Sequence, residues 1–272
     1  MKQLLLRGWR TAYGHPLLIL MFYFYHFIWG FFLYRLIRSI TVPILQRYPG
    51  DVLNPMDLKL YWLEFHFRLT KTDMIEPYLW GLGGLLLLRM VLTPILQSGL
   101  FYTFHVTGHR QRRSFRKGVQ KYAKVFALYY GLRVVLTAAP LYWLLPLWIG
   151  KLQTHYELLP YLEEVWLTFA LYLVYLIFLK LIFMYNQFRL LTETELLKGI
   201  TSLSTMLHRS ALISAAVFGV VIAATSLYFL ASWLWAGLLA VILYQVYHLV
   251  RVLFRFWEIG SHYELWKMNH QQ

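Results

Sequence analysis

The 272-residue chain has no cysteine, which excludes disulfides, thiolate metal sites and thiol nucleophiles together. It also has no Asn-x-Ser/Thr sequon. Acids are scarce, with 12 Asp and Glu against 26 Lys and Arg, and none of them falls inside a long apolar run. Charged residues of both signs reach only 14%, where a soluble domain carries about 25%. This composition excludes a disordered chain, a collagen and a small disulfide scaffold. Known catalytic signatures are missing as well: there is no G-x-S-x-G, P-loop, Rossmann fingerprint or H-E-x-x-H. An intramembrane protease or a carboxylate-driven proton pump needs acids within its spans, and the apolar runs hold none. No nucleophile–base pair, cofactor site or metal cluster is legible, so the expectation is a non-enzymatic protein with no cofactor.

Apolar and aromatic surface is what the chain has in excess. It is 59% hydrophobic and 19% aromatic, with a mean hydropathy of +0.51, more than a globule of this size can hide from water. A membrane crossing needs roughly 20 apolar residues, and six runs qualify: about 17–36, 78–100, 125–149, 165–185, 211–231 and 234–254. The last two form one continuous stretch, too long for a single crossing, whose only corner is Ser232–Gly237. The reading is an all-α polytopic bundle of six transmembrane helices forming one transmembrane domain. The residues from Lys2 to Trp9 form a short interfacial lead-in, with Trp9 and Arg10 at headgroup level.

The net charge of +14 would suggest nucleic acid in a soluble protein. Placing the bases against the spans changes that. Lys2, Arg7, Arg10, the seven bases from Arg110 to Lys124, Arg189, Lys198, Arg209, Arg251, Arg255 and Lys267 fall on one side. Only Arg38, Arg47, Lys59, Arg68, Lys71 and Lys151 fall on the other. Arg35, Arg89, Arg133 and Lys180 lie in or at the ends of spans. The bias predicts both ends on the cytoplasmic side of a bacterial inner membrane, with no nucleic-acid partner. The external segment 38–77 opens a helix at Asn54-Pro55, and Met56–Leu69 reads as an amphipathic helix on the outer leaflet.

Several residues are candidates for function. Arg89 lies mid-span, five residues before Pro94, where a charge costs at least about 2.5–3.5 kcal/mol. Pro94 leaves carbonyls that Arg89, Thr93 or water can use. Arg89, Arg133 and Thr93 are therefore the candidate ligand-binding set, for an anionic lipid or amphiphile held in a basic interior. Arg133 also suits snorkelling, and Lys180 an interfacial anchor. The basic loop 107–124, with Arg110, Arg112, Arg113, Arg116, Lys117, Lys121 and Lys124, suits anionic headgroups or a partner protein. His105 and His109, four apart, read as interfacial polar residues. Ala211, Ala215, Gly219 and Ala223, with Ser232, Ala236 and Ala240, repeat at four-residue spacing, which lets helices approach closely. They predict a tight hairpin between the last two spans or a homo-oligomer contact. Pro140 and Pro146 are expected to kink the third span.

Gly99-Leu100-Phe101-Tyr102, the basic run Arg110–Lys117, then Phe126 and Arg133, together with Gly14-His15-Pro16-Leu17, resemble a pattern in uncharacterised six-span integral membrane proteins of Gram-positive bacteria. The pattern departs at His109, where glycine would be expected. The resemblance covers about a third of the chain and implies a cell-membrane setting without an activity. The leading expectation is an integral membrane protein that binds or handles an anionic lipid. A scaffold or accessory subunit of a larger complex and a small-solute transporter are the alternatives.

Overall fold

The computed structural model describes residues 2–45, 76–106, 111–154, 158–192, 196–234 and 238–270. The described residues are all helical or in turns, with seven helices: α1 (Lys2–Tyr13), α2 (Pro16–Leu45), α3 (Glu76–His105), α4 (Gln111–Thr154), α5 (Leu158–Thr192), α6 (Leu196–Leu234) and α7 (Leu238–His270). Five stretches are long and apolar enough to cross a membrane: Pro16–Ser39, Glu76–His105, Arg112–Lys151, Glu163–Thr192 and Met206–Leu234. The protein is thus a membrane-embedded helical bundle. Of the expected sixth crossing, 234–254, α7 covers residues 238–254, and it is not among these five. Gln245, His248 and Arg251 interrupt its apolar run. The expected outer-leaflet helix Met56–Leu69 and the corner residues Trp235, Ala236 and Gly237 lie outside the described residues, as do His109 and Arg110.

The chain divides into two compact units, one of Met1–Ile19 with Thr93–Gln272 and the other of Leu20–Leu92. In the smaller unit α2 and the first half of α3 pair, with the Tyr78 hydroxyl donating to the Ser39 carbonyl at 3.4 Å. Most of their large apolar side chains stay exposed, including Phe31, Phe32, Leu87 and Leu88, as suits lipid-facing helices.

In the larger unit, α5 lies antiparallel to α4. Arg189 Nη2 donates to the Tyr129 hydroxyl at 3.1 Å, and Trp148 Nε1 to Thr168 Oγ1 at 3.0 Å. Lys151 pairs with Glu164 at 3.3 Å. These contacts climb α4 as they descend α5. Pro140 lies within α4 and has no N–H for the carbonyl of Leu136, four residues back. Tyr175 of α5 supplies the missing donor, its hydroxyl reaching the Leu136 carbonyl at 2.8 Å. One residue on, the Tyr172 hydroxyl donates to the Thr137 carbonyl at 3.0 Å, a second side-chain donor at the same turn. In an apolar layer, where water is absent, this is how a proline-broken ladder is satisfied.

The expected lead-in Lys2–Trp9 is part of α1, a 12-residue helix that docks along the second half of α7, a contact that was not expected. Leu4, Gly8 and Ala12 face inward. A Cβ on Gly8 would stand 2.6 Å from both Cα and N of Ser261, and one on Gly260 2.9 Å from the Gly8 carbonyl. The two backbones touch, and only glycine fits the crossing. Trp257 fastens it from the side, donating Nε1 to the Leu5 carbonyl at 2.8 Å and meeting Trp9 edge-on at 5.3 Å.

Tyr175→Phe is expected to destabilise the purified protein by about 1 kcal/mol, the scale of an interhelical hydrogen bond in membranes. In a Pro140→Ala background, where the backbone donor is restored, the same change should cost less. Thermal unfolding of the four variants in detergent measures this. Equal losses in both backgrounds would show that Tyr175 does not answer the proline.

Candidate functional site

The region expected as a basic loop is, from Gln111 onward, the first turns of α4. The reason lies in the residues between the bases. Ser114, Gly118, Tyr122 and Phe126 recur every fourth position, and all four are buried. They dock on the end of α3, where Tyr102 meets Tyr122 at 5.8 Å and Phe101 meets Phe126 at 5.7 Å. The approach is again at glycine distance. A Cβ on Gly118 would lie 2.5 Å from Tyr102 Cβ and 3.0 Å from the Ser98 carbonyl, and one on Gly99 would enter the Phe115 ring.

The opposite face carries Arg112, Arg113, Arg116, Lys117, Lys121 and Lys124, all exposed. The span Arg112–Lys151 is 40 residues long, roughly 60 Å, against a hydrocarbon core of about 30 Å. Part of α4 must therefore project beyond the apolar layer, and the charged turns are that part. The arrangement is costly to the helix. Arg112 with Arg116, Arg113 with Lys117 and Lys117 with Lys121 are like charges at i,i+4. Arg112 and Arg113 also stand in the first turn, where the helix dipole is already positive. No acid occurs anywhere in α4.

Behind this face lies a packed base of aromatic and polar side chains. Phe104 contacts Phe256, Phe101 contacts Phe188, and Phe188 contacts Tyr263. Tyr185 of α5 shares a hydrogen bond of 2.7 Å with Ser210 of α6 and one of 3.2 Å with His262 Nδ1 of α7. The other ring nitrogen, Nε2, meets Ser214 at 3.1 Å. One turn before His262, Glu258 forms an ion pair with Lys180 of α5. Tyr185, Ser210 and His262 are almost fully buried, so three helices are fastened by one polar cluster. Burial pushes the His262 imidazole down to about 4; Glu258 opposes that shift and Lys180 adds to it. Burial likewise pushes the Tyr263 phenol up to about 12, with Glu264 adding to the shift, and its hydroxyl bonds His105 Nδ1 at 3.0 Å.

The remaining candidates are distributed differently from expectation. Arg89 is exposed, in a row with exposed Leu86, Leu87, Leu88 and Val91, and belongs to the smaller unit, whereas Arg133 and Thr93 belong to the larger one. Arg133 and Thr93 are half-buried. Among the described residues the buried arginine is Arg189, expected in a connecting segment. Its position four residues after buried Tyr185 was the available signal. Lys180, expected as a simple anchor, has an acid partner from α7. Ala211, Ala215, Gly219 and Ala223 are exposed and Ser232 is half-buried. The α6–α7 contact is made on other faces, where Thr225 bonds Tyr247 at 2.8 Å and Tyr228 stacks on Tyr247. The α6 stripe is therefore not what joins the two helices. Ala240 has no described side chain.

Comparison with protein-family models, curated proteins and solved structures finds no match to this chain.

The His262 environment has a pH consequence. Its folded value of about 4 lies below the ordinary 6.5, so between the two the unfolded chain binds a proton that the folded chain refuses. Stability from this group is complete above about pH 6.5 and is lost as pH falls toward 4. The melting temperature in detergent is expected to drop between neutral and mildly acidic pH, and His262→Gln should flatten that slope. An unchanged slope would assign the acid sensitivity to other groups.

Proposed function

We propose that this is a non-enzymatic integral membrane protein of the bacterial cell membrane that binds anionic lipid headgroups through the basic face of α4. The observation that carries the reading is the energetic cost of that face. A helix that places Arg112 and Arg113 in its positive first turn and carries further exposed bases on the same face, without an internal acid, loses stability that an anionic surface restores, at about 1 kcal/mol per base near a charged leaflet. Glycine-distance docking on α3 keeps the bases on one side. Arg89 and Arg133 are further basic positions that lipid phosphate can reach from within the membrane.

Six crossings with both ends cytoplasmic remain the topology that fits best. Lys180 with Glu258 and Tyr185 with His262 advance together along both helices, which supports α7 running parallel to α5. A cytoplasmic end at the α4 bases follows the positive-inside rule.

The α4 reading is tested by lipid retention. Replacing Arg112, Arg113, Arg116 and Lys117 with Gln leaves the docked face of α4 intact. Native mass spectrometry of the purified variant is expected to show more than tenfold weaker retention of phosphatidylglycerol relative to phosphatidylcholine. Equal retention in variant and wild type would refute the reading.

A second reading, a scaffold or accessory subunit, is favoured by the exposed Ala211, Ala215, Gly219 and Ala223. Small residues facing lipid leave room for another helix. The chain has no cysteine, so Ala215→Cys cross-linking in intact membranes reports on that face alone. Failure to trap a second protein or a second copy would remove this reading.

A further inference from the structure

The geometry points to a second headgroup-binding surface on α1, distinct from α4: its free stripe Lys2, Leu6, Arg10 and Tyr13 lies in the headgroup layer of an anionic leaflet. The inference rests on the membrane setting argued above but not on the lipid binding of α4.

Three observations carry it. First, α1 has two faces and only one is used. Leu4, Gly8 and Ala12 are buried on α7, whereas Lys2, Leu6, Arg10 and Tyr13, spaced by four, four and three residues, are all exposed. Leu6 is 53% and Tyr13 71% exposed. Second, the stripe alternates cations with apolar tips, and α1 contains no acid. A helix in the interface buries its apolar tips at the acyl boundary and sets its bases against phosphate. Third, α1 cannot lie far from a membrane entry point. The span Pro16–Ser39 begins three residues after Tyr13. Proline biases the residue before it away from helical conformation. Accordingly, His15 stands between the helices, its carbonyl accepting from Leu18 and Ile19 at 3.1 and 3.2 Å. Gly14 N–H closes α1 on the Arg10 carbonyl at 2.9 Å, and His15 Nδ1 lies 2.7 Å from the Thr11 carbonyl. The result is a tight corner at the mouth of a span, and three residues reach at most about 11 Å, no more than about twice the depth of one headgroup layer. Because Gly8 and Gly260 touch at backbone distance, whatever holds the free face of α1 also holds α7.

The test is a depth measurement. Single cysteines, Leu6→Cys and Tyr13→Cys, are labelled with an environment-sensitive fluorophore, and the full chain is reconstituted in vesicles of phosphatidylcholine alone or mixed with phosphatidylglycerol. In the mixed vesicles both labels are expected to be quenched by headgroup-attached nitroxide lipids and shielded from aqueous iodide. Adding Lys2→Gln and Arg10→Gln should shift the ratio of lipid to iodide quenching toward iodide roughly tenfold, from two bases lost at the surface. Iodide reaching both labels in both vesicle types, with no lipid quenching, overturns the inference. A buried reporter, Leu4→Cys, checks docking. If it stays protected in the double-Gln variant, the shift reports headgroup contact. If it becomes reactive, the labels in the otherwise native background decide. Loss of the α4 lipid effect with the α1 labels still in lipid would refute the α4 reading and leave this one standing.

Discussion

Helix α5 answers polar groups that its neighbours cannot satisfy alone, and the arrangement of the larger unit depends on those answers. Toward α4 it sends Tyr175 and Tyr172 to the carbonyls around Pro140. Toward α6 it sends Tyr185 to Ser210. Toward α7 it sends Lys180 to Glu258 and Tyr185 to His262. Apolar side chains give little orientation between helices in lipid, because lipid tails are as good a partner as leucine. Directional hydrogen bonds do specify register, and leaving them unmade costs several kcal/mol each in hydrocarbon. The unit is thus held in register by a few polar contacts set in an aromatic base.

Glycine supplies the second constraint. At Gly8 with Gly260, and at Gly99 and Gly118, helices meet at distances no Cβ permits. The contrast with Gly131 and Gly219, which have open space around them, shows that glycine content alone does not mark a contact. The close crossings fasten α1 to α7 and α4 to α3. Both cationic faces, on α1 and on α4, are therefore presented by helices whose opposite sides cannot move away without losing a backbone-level contact. Charge on a fixed surface attracts headgroups without the ordering cost that a flexible basic tail incurs.

Much of the helical layout was legible in the residues. Five of the six apolar runs matched membrane-length helices, because a crossing requires about 20 apolar residues and little else. The basic turns 111–124 read as a loop from sequence but are helical, because charge density masks a four-residue stripe of Ser114, Gly118, Tyr122 and Phe126. The stripe is modest in hydrophobicity and decisive in shape. Arg89 drew attention as a costly charge, yet it is exposed, while Arg189, which looked peripheral, is enclosed. A sequence reports what a residue costs if it faces lipid, but not which way its helix is turned.

By itself the sequence determined that the protein is helical and membrane-embedded, where the apolar runs lie, and that its charge is concentrated in a few segments. These follow from composition and local periodicity, which need no knowledge of neighbours. Only the tertiary structure decided which acid answers Lys180, which hydroxyls answer Pro140, that α1 docks on α7, and that the small-residue face of α6 points outward. Each of those depends on helix rotation and pairing between residues far apart in the chain. Rotation is set by a handful of directional contacts rather than by hydrophobicity, since in lipid every apolar face is equally acceptable.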